Sequence, residues 1–221
     1  MSKLFGQNDP RIVEYFEKEF AVHDPVLDEI RDRAGRAGLP NIHVAVTDGL
    51  HLEVLTRAFG AKKVVEIGTL AGYSGVCILR ALPKDGKLYT FEFETAHAEV
   101  ARETFKKAGA SDRVELRVGA AIEKLPEIEK QGPFDLVFID ADKTSYPAYF
   151  EWAAKNLRSG GAILADNTFA WNQITDTTFE DDETRDAIFA LREFNRLAAH
   201  DPRFRSTILP TGEGLTLAVK K

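Results

Sequence analysis

The sequence predicts an α/β fold in which a mostly parallel seven-stranded sheet carries helices on both faces. Three observations support this fold class. Short apolar runs of strand length alternate with helical segments from residue 62 onward. Turn-forming sequences rich in proline and glycine separate them, for example at residues 83–86 and 159–161. The last two runs are joined by the short segment 210–214, which indicates an antiparallel C-terminal hairpin at one edge of the sheet.

Three helices are expected before the sheet. Apolar residues such as Phe16 and Phe20 recur at helical spacing, and a second helix starts at Pro25, since proline is favoured in a first turn. Glycines at 35 and 38 end that helix, and a third is predicted over 48–59. We expect one domain over residues 1–221, in which the N-terminal helices (1–60) cover a ligand site and residues 61–221 form the sheet core.

Strands and helices then alternate, which implies right-handed crossovers between parallel strands. The predicted strands span 63–67, 87–93, 114–118, 134–140, 162–165, 203–209 and 215–219. The predicted helices between them span 72–82, 96–108, 120–128 and 146–157, and a last helix spans 182–199.

Composition excludes several classes of function. The chain has 221 residues and a net charge of −6, and it lacks the basic face that a nucleic-acid partner requires. No apolar run is long enough to cross a membrane, and the first ten residues lack the apolar stretch of a signal peptide. The single cysteine, Cys77, cannot form a disulfide within the chain. We therefore expect a cytoplasmic protein that binds neither nucleic acid nor membrane.

Polar residues follow two of the predicted strands. Asp140, Asp142 and Lys143 come after the apolar run 136–139, and Asp166 and Asn167 come after 162–165. Ligands of open α/β sheets bind outside the carboxyl ends of the strands. If the two strands are neighbours, Asp140, Asp166 and Asn167 offer three hard oxygen donors, which suit Mg²⁺ or another divalent cation such as Mn²⁺ or Ca²⁺. The aspartates after residue 139 could instead cap the next helix.

A glycine-containing turn follows the first strand, where the sequence Glu66-Ile-Gly68-Thr-Leu-Ala-Gly72-Tyr-Ser74 allows close approach to a ligand. This is not the dinucleotide pattern G-x-G-x-x-G, because position 70 is leucine. Glu66 would repel a pyrophosphate but attract a cationic amino-acid group. Glu92, at the end of the second strand, suits ribose hydroxyls.

These motifs together resemble the cation-dependent O-methyltransferases that use S-adenosylmethionine, which include caffeoyl-CoA and catechol O-methyltransferases and small bacterial relatives. The resemblance runs from His23 nearly to the C-terminus and implies a Rossmann-like class I methyltransferase fold and a homodimer. It implies Asp140, Asp166 and Asn167 as metal ligands and Lys143, with Asp140, as catalytic residues. It implies cofactor contacts from Val44, Glu66, Gly68, Thr69, Gly72, Ser74, Glu92, Ala121 and Asp140.

The predicted reaction is methylation of a vicinal-dihydroxy aromatic, a small phenolic substrate whose proton passes to Lys143. The sequence departs from the family at Thr47-Asp48-Gly49, where relatives often have Glu-Gln-Gly, and in the loop containing Trp171. Catechol methyltransferases use a glutamate shortly before the last strand to hold a substrate hydroxyl. The matching position in this sequence is Thr207. Two alternatives stay open: an NAD-dependent oxidoreductase of the doubly wound fold, and a metal-independent methyltransferase.

Overall fold

The computed structural model describes residues 10–20 and 24–221. Seven strands form one sheet in the spatial order β3-β2-β1-β4-β5-β7-β6. Strands β1 to β5 are parallel, whereas β7 pairs antiparallel with both β5 and β6. The strands are β1 (Lys63–Ile67), β2 (Lys87–Glu92), β3 (Val114–Val118), β4 (Phe134–Ile139), β5 (Leu157–Ala165), β6 (Phe204–Leu209) and β7 (Leu215–Lys220). The predicted sheet and its C-terminal hairpin are confirmed.

Eight α-helices are described in these two segments. They are α1 (Pro10–Glu19), α2 (Pro25–Arg36), α3 (Val46–Ala58), α4 (Tyr73–Ala81), α5 (Thr95–Lys107), α6 (Ala121–Lys124), α7 (Tyr146–Asn156) and α8 (Asp182–His200). The Asp24 side chain caps α2 by accepting hydrogen bonds from the amides of Val26 and Leu27. None of the described helices combines the length and the apolar character that a membrane crossing requires.

Alternate residues of the central strands pack on opposite faces of the sheet. Val65 and Val137 face α7 and α8 in one buried cluster, whereas Val64 and Leu136 belong to a second cluster with α2 to α5. Both faces are therefore covered, which explains why these strands read as nearly continuous apolar runs.

The strand order reverses between β1 and β4. From β1 the chain adds β2 and β3 on one side, and from β4 it adds β5 on the other. Ile67 at the end of β1 is paired with Ile139 at the end of β4. A crevice opens outside the carboxyl ends of strands at such a reversal, and ligands bind there.

Two predicted elements differ from the structure. The helix predicted over 120–128 is interrupted: α6 ends at Lys124, and a 3-10 helix follows over Leu125–Gln131, because Pro126 cannot donate the hydrogen bond that an α-helix needs. Strand β5 starts at Leu157 rather than at residue 162, with a register shift against β4. The start of the family resemblance, His23, lies outside the described residues.

Candidate active site

A cavity of about 1540 Å³ lies at the carboxyl edge of the sheet. Its lining comes from the end of β2, from the segments that directly follow β1, β4 and β5, from the α3 region and from the β6–β7 loop. Nine of the twelve predicted site residues line it: Val44, Gly68, Thr69, Glu92, Ala121, Asp140, Lys143, Asp166 and Asn167. Glu66, Gly72 and Ser74 do not.

Asp140 and Asp166 occupy equivalent positions after the neighbouring strands β4 and β5. The amide of Asp166 donates to the Ile139 carbonyl at 3.0 Å, which fixes the two aspartates side by side on the backbone. Asp166 is only 4% exposed. Burial, followed by the charge of Asp140, raises the pKa of the Asp166 carboxyl to about 7. The two strand ends therefore concentrate negative charge at one place.

Asn167 adopts a left-handed backbone conformation with φ of 57°. Its amide hydrogen donates to Asp166 Oδ1 at 2.7 Å, and its side-chain nitrogen donates to Glu213 on the β6–β7 loop. The side-chain oxygen of Asn167 accepts no hydrogen bond from the described residues. That oxygen is the atom that a cation would require.

Lys143 begins a short 3-10 turn that leads into α7. Its Nζ donates to Asp140 Oδ1 at 3.0 Å and to the Tyr146 hydroxyl at 2.9 Å. Tyr146 is completely buried, and its hydroxyl also lies 3.1 Å from the Asp166 carbonyl oxygen. Tyr146 therefore does not line the cavity but holds the lysine from behind.

The turn after β1 brings the chain very close to the end of β4. Gly68 has φ of 97°, and a Cβ at this position would lie 2.0 Å from the Asp140 carbonyl oxygen. The Glu92 carboxylate accepts hydrogen bonds from the amides of Thr69 (3.2 Å) and Leu70 (2.7 Å). His97 Nδ1 lies 3.3 Å from the same carboxylate. These contacts fix the shape of the turn without any ligand.

Glu66 lies behind this turn. Its carboxyl oxygens accept hydrogen bonds from Ser74 Oγ and Thr90 Oγ1, both at 2.6 Å. Burial raises the pKa of Glu66 to about 7. Gly72, with φ of 85°, packs against the ring of Phe105. Cofactor contacts from Glu66, Gly72 and Ser74 stay predictions.

Several cavity residues were not predicted from the sequence, including Asp48 on α3 and Thr211 and Glu213 on the β6–β7 loop. Thr207, assigned to a substrate-binding position by the resemblance, is paired with Leu217 inside β6 and does not line the cavity. The predicted C-terminal hairpin could have indicated that residues of the β6–β7 loop reach the cavity. Because β7 runs antiparallel to β5, the loop before β7 lies at the carboxyl edge.

The donor set at the strand ends fits a divalent cation in its chemistry. It offers carboxylate oxygens from Asp140 and Asp166 and the unbonded amide oxygen of Asn167. The raised pKa of Asp166 reports negative charge that a cation would neutralise. Within residues 10–20 and 24–221, no three His, Cys, Asp or Glu side chains are grouped closely enough to hold a metal. A site here would therefore depend on the amide oxygen.

The open sheet with its reversed strand order, glycine turn and antiparallel last pair has a Rossmann-like architecture. A sequence model described as O-methyltransferase matches residues 17–221, so the chain belongs to the O-methyltransferase family. A catechol O-methyltransferase of Niastella koreensis is 36% identical, with 94% of this chain and 95% of that protein covered. This match favours the methyltransferase prediction over the nicotinamide alternative.

Solved structures of related enzymes agree. An O-methyltransferase from Bacillus cereus, in complex with SAH, superposes with a TM-score of 0.88 at 37% identity and covers 96% of this chain and 97% of its own. The O-methyltransferase TomG from Streptomyces achromogenes, in complex with SAM, superposes with a TM-score of 0.86 at 32% identity, with 96% of each chain covered. The chain is thus an O-methyltransferase with the fold of cofactor-bound relatives.

Proposed function

We propose that this enzyme transfers a methyl group from S-adenosylmethionine to one oxygen of a vicinal-dihydroxy aromatic, with a divalent cation held by Asp140, Asp166 and Asn167. The observation that carries the proposal is the Lys143–Asp140 contact of 3.0 Å on the cavity wall where β4 ends. Related structures bound to SAH and SAM, and a relative named catechol O-methyltransferase, support the donor and the acceptor class.

S-adenosylmethionine would be held by the turn after β1 and by Glu92. Gly68 and Thr69 line the cavity at that turn, and Ala121 and Val44 line it further along. Glu92 would accept hydroxyl hydrogens of the ribose, since acids at the end of the second strand bind ribose in folds of this type. The cofactor supplies an electrophilic methyl group on its positively charged sulfur.

Asp140, Asp166 and Asn167 would hold Mg²⁺, or Mn²⁺ or Ca²⁺ in its place. Such an ion supplies Lewis-acid stabilisation of an ionised hydroxyl. Lys143, in its neutral amine form, would act as the base that removes the hydroxyl proton of the acceptor. The proton moves from oxygen to Nζ, the oxygen forms the new bond to the methyl carbon, and the carbon–sulfur bond breaks. Tyr146 keeps Nζ at the cavity by its 2.9 Å contact.

The domain organisation extends the proposal. Phe16 on α1 and Val44 before α3 both line the cavity, which supports a role of the N-terminal helices as a cover within one domain over residues 1–221. A homodimer is proposed on family resemblance alone, and light scattering after size-exclusion chromatography tests it.

The deciding experiment is a methylation screen over vicinal diphenols with labelled S-adenosylmethionine, with and without Mg²⁺. We expect turnover with catechol rings, loss of turnover on chelation, and recovery when Mg²⁺ is restored. Matched rings with a single hydroxyl should not react. Turnover that survives chelation unchanged would favour the metal-independent alternative, and no reaction with any diphenol would refute the proposed acceptor class.

A further inference from the structure

The cavity wall is strongly acidic. Among the described residues that line it, seven carboxylates face one lysine, Lys143. The seven acids are Asp48, Glu92, Glu94, Asp140, Asp142, Asp166 and Glu213. Of the three histidines in the lining, His43 has its pKa lowered by burial and by Arg31, so it adds no charge near neutral pH. A divalent ion and a sulfonium cofactor would neutralise only part of this wall.

Asp48 is a buried acid of this wall with one unpaired oxygen. It lies in the first turn of α3, it is 6% exposed, and its Oδ1 is buried without a hydrogen-bond partner. His51 Nδ1 lies 3.8 Å from this oxygen, which is an ion-pair distance and not a hydrogen bond. Thr211, on the β6–β7 loop, lies close enough to act on the Asp48 carboxyl, and its buried hydroxyl likewise forms no hydrogen bond of standard geometry with the described residues. Buried polar atoms without partners are rare and indicate a missing ligand group.

The position of Asp48 is fixed by its neighbour Gly49. A Cβ at Gly49 would lie 3.1 Å from the ring of Tyr73 and 3.2 Å from Cys77 Sγ, both on α4. The start of α3 therefore sits directly on α4, which fixes the backbone of Asp48 at the edge of the cavity. A carboxylate held in this manner acts as a preorganised acceptor.

We propose that Asp48 and Thr211 form a specificity subsite that binds a positively charged amine on the methyl acceptor, so that cationic diphenols are preferred over carboxylated ones. This inference rests on the proposed function. Asp48 lies close enough to Asp140 and Asp166 for the charges to act on one another, and it carries an oxygen without a hydrogen bond. A donor from the acceptor is then the partner that its carboxylate lacks. Anionic acceptors, including thioesters that carry phosphates, would be repelled by the carboxylates of the cavity wall.

The test compares three acceptors with the same diphenol ring and different side groups: 2-(3,4-dihydroxyphenyl)ethylamine, 4-ethylcatechol and 3,4-dihydroxyphenylacetate. For the wild-type enzyme we expect kcat/KM to fall in that order, with the amine at least about tenfold above the carboxylate, as for hydrogen bonds between charged groups. The preference should lie mainly in KM and should weaken as salt is added.

Substitution then locates the effect. Asp48→Asn should reduce the amine-to-ethyl ratio of kcat/KM about tenfold, and Thr211→Val should reduce this ratio less. Glu53→Gln is the control. Glu53 lies on α3 like Asp48 but does not line the cavity, and the substitution removes the same charge. Thermal melting confirms that each variant is folded.

The outcomes separate the two proposals. If no diphenol is methylated, the proposed function fails. If wild-type enzyme methylates all three acceptors equally well, or prefers the carboxylate, the subsite is overturned while the function stands, whatever the variants do. An amine preference that survives unchanged in folded Asp48→Asn also overturns it.

Discussion

The two ends of the cavity differ in how completely their acids are satisfied. At the β1–β2 end, Glu92 accepts hydrogen bonds from backbone amides of the turn that it shapes. At the β4–β5 end, Asp166 has a pKa raised by burial and by Asp140, and Asp48 has a buried oxygen without a partner. Glu66 at the first end also accepts two hydrogen bonds, from Ser74 and Thr90, although burial raises its pKa to about 7. The second end brings together carboxylates, one of them with an oxygen that lacks a hydrogen bond, and a bound cation would neutralise part of their charge.

The largest effect should come from removing charge at the unsatisfied end. Asp166→Asn should lower kcat on the order of 10³-fold or more, since the Lewis acid it would hold supplies several kcal/mol. It should also raise Tm, because a buried carboxylate with a raised pKa destabilises the free protein. Activity and melting assays of the purified variant check both signs. Retained activity, or a lower Tm with intact fold, would contradict the comparison of the two ends.

The next largest effect concerns the lysine. Lys143→Ala should reduce kcat by about 10²-fold or more, as for loss of a general base. Lys155→Ala is a suitable control, because Lys155 is exposed and pairs with Glu129 away from the cavity. The measurement is kcat against pH for both variants. Wild-type rates in Lys143→Ala across neutral pH would show that another group takes the proton.

Glu66 provides a pH test of the first end. Its pKa rises from 4.5 to about 7 in the folded protein. The folded state therefore binds the proton more tightly than the unfolded state, so the free energy of unfolding falls as pH rises from about 4.5 to 7 and stays lower above pH 7. The contribution is roughly 3 kcal/mol.

Glu66→Gln should lack this contribution to the pH dependence of the free energy of unfolding. Urea unfolding at pH 5 and pH 8 should show a smaller loss of stability for the variant than for the wild type, with Glu53→Gln behaving as the wild type. An equal pH dependence in Glu66→Gln would mean that this acid is ionised in the folded protein throughout the range.

The smallest effect tests the support behind the lysine. Tyr146→Phe removes the hydroxyl that lies 2.9 Å from Lys143 Nζ and should cost about 1 kcal/mol in stability, as for one hydrogen bond. We expect kcat to fall severalfold with KM nearly constant, since the hydroxyl does not line the cavity. Tyr149→Phe, which removes the contact with Asp142, provides a comparison. A change in KM alone would argue against a positioning role for Tyr146.

The sequence was sufficient for the parts of the fold that depend on buried apolar runs. Strands β1 and β3 have the predicted limits because each run is bounded by turn residues. The start of β5 was missed because Arg158 and the two following glycines read as a turn, whereas pairing with β4 extends the strand through them. Tertiary pairing overrode local preference.

The same distinction applies to the site. Asp140 and Asp166 could be predicted, because each directly follows a buried apolar run and ligands of open α/β sheets bind at the carboxyl ends of the strands. Asp48 and Thr211 could not, because an aspartate in a first helical turn and a threonine in a loop are ordinary residues there. Only the packing of α3 against α4 and the antiparallel direction of β7 bring them to the cavity.

The contact between Gly68 and the Asp140 carbonyl has a consequence for how this enzyme can diversify. Main-chain atoms of two adjacent strand ends approach closely there, so the relative position of the two strand ends is set by the backbone and is insensitive to most side-chain replacements. The loops around Trp171 and Thr211 can therefore change the shape of the cavity while this part of its wall stays constant.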